Sequence, residues 1–447
     1  MLTYSSMLSL LAFAATVILT FKHPKVKIPF KQVYLQLDYG LAPILCVAFL
    51  LATSAIDVSF VVRGIAGCEN IKPYSVIILI LSLAYICISL DLTGFFEYIA
   101  LQVVKKAGIS GRKLFVYLFM LTSFLTLFTS NDVVILTITP IIIYMCNSMG
   151  ISPMPYLFAQ FFAANISGMG LYIGNPTNIV IAEAYKISFI EFAEWMLLPA
   201  ASAVAMCLLM LWIVFRRKLP KHINMPQVNP QLALRDRRGA AFGLIVLGGT
   251  ILVMSLPSTV IDVKPWTAAL ASAFIMFLYQ VLHSRSVIIV VLKRMPWKIA
   301  PFLIGLFVIV ETMASSGWTD LLALQLSKAS SNLTATVLCV GFLSSLAAGS
   351  MNNHPMTIFF VRALQSPAFS VSNTFKLGAI LALVAGSNLG ANFMLTGALA
   401  GLMWAKILSS KGCSISFTEF SKYGFLVMPP VVAAACLTLA GMIAFSL

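Results

Sequence analysis

Residues 114–146 decide the fold: LFVYLFMLTSFLTLF (114–128), TSND (129–132) and VVILTITPIIIYMC (133–146). A membrane-crossing helix takes about 20 apolar residues at 1.5 Å rise each. Two runs too short to cross comfortably, joined by a polar tetrapeptide, predict a re-entrant helical hairpin whose tip stops at mid-membrane. Outward from it, runs of spanning length lie at 3–20, 38–56, 74–90, 196–215, 240–257, 265–283, 299–315 and 424–445. The run 3–20 lacks the basic start and small-residue cleavage site of a signal peptide and is read as a retained span. Residues 336–348 and 356–366 repeat the hairpin around GSMNNHP (349–355). Two stretches, 155–186 and 375–409, are too long for one span and are interrupted by GNPTN (174–178) and GSNLGAN (386–392). Gly and Pro break the helical ladder, and backbone groups freed at that depth persist only beside a cavity, so both read as discontinuous helices.

The expectation is an all-α polytopic membrane protein of about 10 spans plus 2 hairpins. Composition agrees: the 447 residues are 60% hydrophobic and 10% charged, against roughly 25% charge in soluble chains. The mean hydropathy is +0.98. A disordered chain and a disulfide scaffold are excluded, and the lipid bilayer is the first partner. The formal charge of +15 resolves into loops. Segments 22–31, 91–113, 216–239, 284–298 and 406–423 hold 22 of the 29 Lys and Arg residues. Placing them in the cytoplasm satisfies the positive-inside rule, with both termini outside, in a plasma or inner membrane. The basic linker 216–239 is then a topogenic loop, and no nucleic acid is expected. The eight cysteines show no CxxC or other metal-ligand spacing and read as small apolar residues; no cofactor is expected, and a metal is left open.

In this threading the hairpins enter from opposite sides, so the halves have inverted topology. TGFFEYIALQVVK (93–105) and SGWTDLLALQLSK (316–328) align without a gap, sharing Gly94/Gly317, Ala100/Ala323, Leu101/Leu324, Gln102/Gln325 and Lys105/Lys328 at an offset of 223. Both are amphipathic and should lie along the interface. The division is an N-terminal repeat 1–215 (hairpin 114–147, broken helix 155–186), the linker 216–239, and a C-terminal repeat 240–447 (hairpin 336–366, broken helix 375–409). Inverted repeats whose broken helices meet at mid-membrane are the architecture of secondary transporters. Small-xxx-small pairs in several spans suit a homodimer and packing within one chain equally.

Chemistry should concentrate at the four breaks. The amides and hydroxyls expected to bind solute are Ser130, Asn131, Asn175, Thr177, Asn178, Ser350, Asn352, Asn353, Ser387 and Asn388, with Asn392 and Thr396 beside them. Asp132, Glu183 and Glu311 are the carboxylates inside apolar segments, where each costs about 2.5–3.5 kcal/mol on insertion scales. Asp132, at the first tip, reads as the ion-coupling group, a proton carrier or part of a cation site; the competing reading is a cap on the helix that follows. Glu183 and Glu311 fall near outer ends and are expected to be solvated. His354 has a side chain suited to proton coupling near neutral pH, against a purely hydrogen-bonded structural role. No Lys or Arg falls at the breaks, which favours a neutral or weakly charged small polar solute, or a cation.

LDLTGFFEYIAL (90–101), GRKLF (111–115), SNDVVILTITPIII (130–143), MNNHPMT (351–357) and LGANFMLTGALAGLMWAKIL (389–408) resemble the arsenite-efflux permeases of the ArsB type. These belong, with NhaD-like sodium/proton antiporters and sodium-coupled dicarboxylate and citrate carriers, to the ion-transporter superfamily. The similarity runs from about residue 75 to 445. It implies a two-repeat transporter, not an enzyme, moving arsenite, antimonite or a similar metalloid outward against proton entry. The family's N-D pair matches Asn131 and Asp132, and its N-N pair matches Asn352 and Asn353. The chain departs where such permeases tend to carry an acid at the position of Asn388 and a methionine at that of His354. GNPTN is closer to the sodium-coupled and antiporter branches, so sodium remains the alternative coupling ion, with a small carboxylate as the alternative solute.

Overall fold

The computed structural model describes residues 4–22, 24–27, 34–67, 72–224, 229–257, 259–260 and 262–446. Cys68 and parts of the basic segments 22–31 and 216–239 lie outside them. The described chain is helical apart from two antiparallel three-residue strands, Lys25–Lys27 and Tyr34–Gln36. Eleven helices among these residues are long and apolar enough to cross a membrane.

One order of elements occurs twice. Pro73–Leu92, Phe95–Ala107, the hairpin arms Gly111–Phe128 and Asn131–Ser148, the broken pair Met154–Ser167 and Pro176–Tyr185, and Phe189–Phe215 are followed later by their counterparts. These are Ile299–Ser315, Trp318–Ala329, the arms Leu333–Met351 and Asn353–Gln365, the pair Asn373–Leu389 and Leu399–Ser410, and Phe417–Phe445. Both amphipathic helices start after a left-handed glycine, Gly94 at φ 82° and Gly317 at φ 83°, a conformation that glycine adopts without the cost of a Cβ. Both closing helices contain proline, Pro199 in one and Pro429 and Pro430 in the other.

The repeats interlock. Pro73–Leu92 of the first packs against Arg237–Ser255, Pro265–His283 and Arg285–Arg294 of the second, while Ile299–Ser315 packs against Tyr4–Lys22, Leu41–Ala52 and Val58–Ala66 of the first. The second arm of each hairpin also packs against the second half of the other repeat's broken helix: Asn131–Ser148 on Leu399–Ser410, and Asn353–Gln365 on Pro176–Tyr185. An aromatic layer fixes the broken helices to each other and to the last helix, with Phe158 and Tyr423 ring centroids 4.7 Å apart and Phe161 and Trp404 4.8 Å apart. Such pairs contribute about 0.5–1.5 kcal/mol each beyond burial. Pro265–His283 buries little, and its exposed apolar residues, Leu270, Phe274, Ile275 and Leu278 among them, belong against lipid.

Several expected boundaries shift for local reasons. The run 38–56 is Leu41–Ala52, and a second helix starts at Val58 because Asp57 caps it, accepting from Ser59 N and Phe60 N. The hairpin arms extend beyond their apolar windows, since Ser110 and Asn332 cap their first helices. The second broken helix continues through Asn388 and opens at residues 390–398, where Gly390 and Gly397 lie so close that a Cβ on Gly397 would meet Gly390 O at 2.6 Å. The second repeat's first helix begins at Arg237, inside the stretch read as linker. Segment 284–298 contains the helix Arg285–Arg294.

Candidate functional site

The two tips and two breaks converge, but into unequal halves. At the first tip the chain leaves helix at Thr129 and Ser130 and re-enters at Asn131. Asn131 Oδ1 accepts the backbone N–H of Asp132 (2.9 Å) and the Ser130 hydroxyl (3.4 Å), while its Nδ2 donates to Asn165 Oδ1 (2.9 Å). Asn131, and not Asp132, therefore holds a freed N–H of this helix. The Asp132 carboxylate accepts from no described residue and is half-buried on the wall of a cavity of about 730 Å³.

Thr129, Ser130, Asp132, Ile173 and Pro176 line that cavity at the tip and break, and Glu97, Asp91, Arg235 and Arg294 line it elsewhere. The charged residues are paired: Arg235 Nη2 donates to Glu97 Oε2 (2.8 Å) and Arg294 Nη1 to Asp91 Oδ2 (3.1 Å). Thr137, also on the wall, donates to Asp91 Oδ1 (2.8 Å). All four come from segments that charge counting assigns to one side of the membrane. Cys87 contributes to the lining, and among the described residues no group of three or more His, Cys, Asp or Glu side chains could hold a metal.

At the second tip only Asn352 lies outside the helices, so the seven-residue tip read from the sequence is narrower. Its φ of 75° with ψ of 144° lies where side-chain-bearing residues are strained by about 1–3 kcal/mol. Asn353 N donates to Gly397 O (2.9 Å) and Thr396 Oγ1 to Gly349 O (3.0 Å), tying the tip to the break beside it. His354 Nδ1 lies 2.9 Å from Asn353 Oδ1, an acceptor, so the ring proton sits on Nδ1. Its buried Nε2 then remains an acceptor that no described residue serves, with Phe302 edge-on to the ring.

Between the breaks, Asn388 Nδ2 donates to Asn178 Oδ1 (2.7 Å), and the Thr177 and Ser387 hydroxyls lie 3.1 Å apart. Asn175 Oδ1 accepts Thr177 N and Oγ1, each at 3.1 Å, and Asn178 Nδ2 donates to Gly168 O (2.7 Å) and Leu171 O (2.9 Å). Asn175, Thr177, Asn178, Asn352, Asn353, Ser387 and Asn388 are all buried. Ser350 stands apart, exposed, with its hydroxyl on Ala347 O. Glu183 takes the Tyr172 and Ser75 hydroxyls and Glu311 takes Arg362, so neither is simply solvated.

Two residues of this region escaped the sequence reading. Asn165 sits in the last turn of an apolar helix, outside the GNPTN interruption, although it lies 223 residues before Asn388, the same offset as the aligned amphipathic segments. Asp91 ends an apolar span, where a carboxylate at a helix C-terminus calls for a cationic partner.

A two-repeat helical protein with broken helices around a one-sided cavity is an integral membrane transporter of the secondary type. The family CitMHS, described as citrate transporter, matches residues 37–375, and the chain belongs to it. The arsenical pump membrane protein of Escherichia coli is 30% identical over 366 residues, 79% of this chain and 83% of that protein. Its namesake from Yersinia enterocolitica is 29% identical over 415 residues, 90% and 94% of the two chains. Among solved structures, the YdaH transporter of Alcanivorax borkumensis, described as having an unusual topology, covers 99% of both chains with a TM-score of 0.57 at 12% identity, which shows the fold alone. The family and its relatives are transporters, not enzymes.

Proposed function

We propose that this transporter carries arsenite, antimonite or a similar small hydroxylated solute out of the cell, driven by protons that enter through Asp132. The observation that carries the reading is the Asp132 carboxylate, free of donors among the described residues, on the wall of an open cavity. A carboxylate so placed can take a proton and give it up, which a capping carboxylate cannot do without unravelling its helix. The surrounding amides and hydroxyls donate and accept without net charge, which suits a neutral polyhydroxylated solute. Arg235 and Arg294, the cationic side chains of the lining, are each paired with an acid. In this reading the cavity faces the cytoplasm, both termini are outside, and the solute is loaded against Ser130 and Asp132. The buried groups Asn175, Thr177, Asn178, Asn352, Asn353, Ser387 and Asn388 close on it as the breaks shift, with His354 a second proton-handling group. The names of the arsenical pump relatives agree with this solute.

Everted vesicles test it. Arsenite should accumulate when the lumen is acid and not in response to sodium alone; verified, inserted protein that accumulates neither arsenite nor antimonite sinks the proposal. A sodium-coupled carrier of a small carboxylate is the second reading. It is favoured by the family's description and by GNPTN at the first break. Citrate uptake that follows an imposed sodium gradient would select it.

A further inference from the structure

Asn165 is fully buried on Met154–Ser167 and uses all its polar positions. Its Oδ1 accepts from Asn131 Nδ2 (2.9 Å), and its Nδ2 donates one turn back to Phe161 O (3.2 Å) and across the repeats to Asn392 Oδ1 (2.9 Å). Asn131 in turn holds the backbone N–H of Asp132. Asn165 thus reaches the first tip through one partner and the opposite repeat through another.

Its counterpart, 223 residues on, is Asn388, also fully buried. There Nδ2 repeats the pattern, donating one turn back to Val384 O (2.9 Å) and across the repeats to Asn178 Oδ1 (2.7 Å). Its Oδ1 differs: no described residue donates to it, and the second tip bonds instead to the neighbouring break at Gly397 O and Thr396 O. These two bonds are common to both broken helices of this chain and join its halves. What remains after subtracting them, the bond to a tip, occurs only where the tip carries the acid.

We propose that Asn165 is the positioning residue of the first tip. It fixes the Asn131 amide, and so sets the helical turn that presents Asp132 to the cavity, while anchoring that turn to the second repeat. Its effect on transport rests on the reading of Asp132 as coupling group; the contact itself does not. Without the Asn165 oxygen, Asn131 Nδ2 is left buried with no acceptor, and the amide turns towards the cavity, releasing the Asp132 N–H.

Hydrogen exchange of backbone amides 129–134 in the full chain in nanodiscs, and the pH profile of gradient-driven transport, test this together. Asn165→Ala should speed exchange at the tip about tenfold and move the pH midpoint of transport by about half a unit. Asn165→Asp, which keeps an acceptor for Asn131, should stay within about twofold of the parent in tip exchange. Asn388→Ala removes the same helix and cross-repeat bonds without touching the first tip, and should leave exchange at 129–134 at the parent rate. Unchanged tip exchange in Asn165→Ala overturns the proposal, and so does equal acceleration at both tips by both alanine variants, which would mean general loosening. Should Asn165→Ala not insert, Asn165→Thr, too short to reach Asn131, is read in the same way. A parent that moves neither arsenite nor antimonite, with tip exchange responding as stated, removes the proposed solute and leaves the role of Asn165 standing.

Discussion

The two repeats build two clefts from equivalent helices, and one holds about 730 Å³ while the other holds about 20 Å³. The open cleft borders the first tip and Asp132; the closed one is lined by Arg63, Phe307, Glu311, Ile358 and Arg362. Closure has identifiable parts. Arg362 Nη2 donates to Glu311 Oε2 at 2.6 Å with both side chains largely shielded, 25% and 14% exposed. Tyr185 Oη reaches Val361 O and Gln365 Nε2 reaches Ala184 O, each at 3.2 Å, joining the broken helix of one repeat to the hairpin of the other. The pair on the wall of the open cleft, Arg294 and Asp91, leaves its arginine 53% exposed. The wide cleft and the narrow one thus differ in the polar contacts that cross them, and those contacts lie at the narrow one.

The largest break in this comparison should come from Asp132→Asn, which removes the titrating group and leaves the cavity in place. Gradient-driven transport is expected to fall about 100-fold or more, while solute counterflow is partly retained. Full gradient-driven activity in that variant would return Asp132 to a structural role. Next come the paired glycines. Gly94→Ala and Gly317→Ala both incur about 1–2 kcal/mol for a left-handed backbone. At Gly94 alone a Cβ would also meet Ala233 O, at 1.8 Å, whereas nothing lies within 4 Å at Gly317. Gly94→Ala should therefore lower the melting temperature in detergent by clearly more than Gly317→Ala, and equal losses would remove the linker contact from the account.

Arg362→Ala should loosen the closed cleft, raising maleimide labelling of an Ile358→Cys reporter about tenfold or more, since removing one partner of a largely shielded ion pair costs more than breaking an exposed one. No rise would assign closure to the backbone contacts at Val361 and Ala184. The smallest effect belongs to Arg294→Ala. Arg294 is 53% exposed and Thr137 also holds Asp91, so transport should stay within about twofold of the parent at physiological salt, with the difference shrinking as salt rises. A larger loss would make Asp91 and Arg294 part of the solute path.

The fold was legible because its signals are local: short apolar runs around TSND and GSMNNHP, Gly-Pro interruptions, and basic loops. The repeat was legible from one aligned segment, and Gly94 and Gly317, paired in that alignment, adopt the same conformation at the starts of the two helices. Span 38–56 was misread because apolar content alone does not register a cap such as Asp57. Of the site, the residues at breaks could be named, since polar groups there have no other local explanation. Asn165 could not, because an asparagine inside an apolar helix shows its purpose only through partners at positions 131 and 392, far away in sequence. Ser350 illustrates the converse: nearness to a tip does not fix where a side chain turns.

The interlock of the repeats also bears on how the chain is made. Pro73–Leu92 finds its partners among helices that begin at Arg237, about 145 residues later in synthesis. At about 5–20 residues per second that is a wait of roughly 7 to 30 s. During it, the face of that helix destined for the second repeat must be sheltered by lipid or by the insertion machinery, and a chain cut anywhere before residue 237 never covers that face.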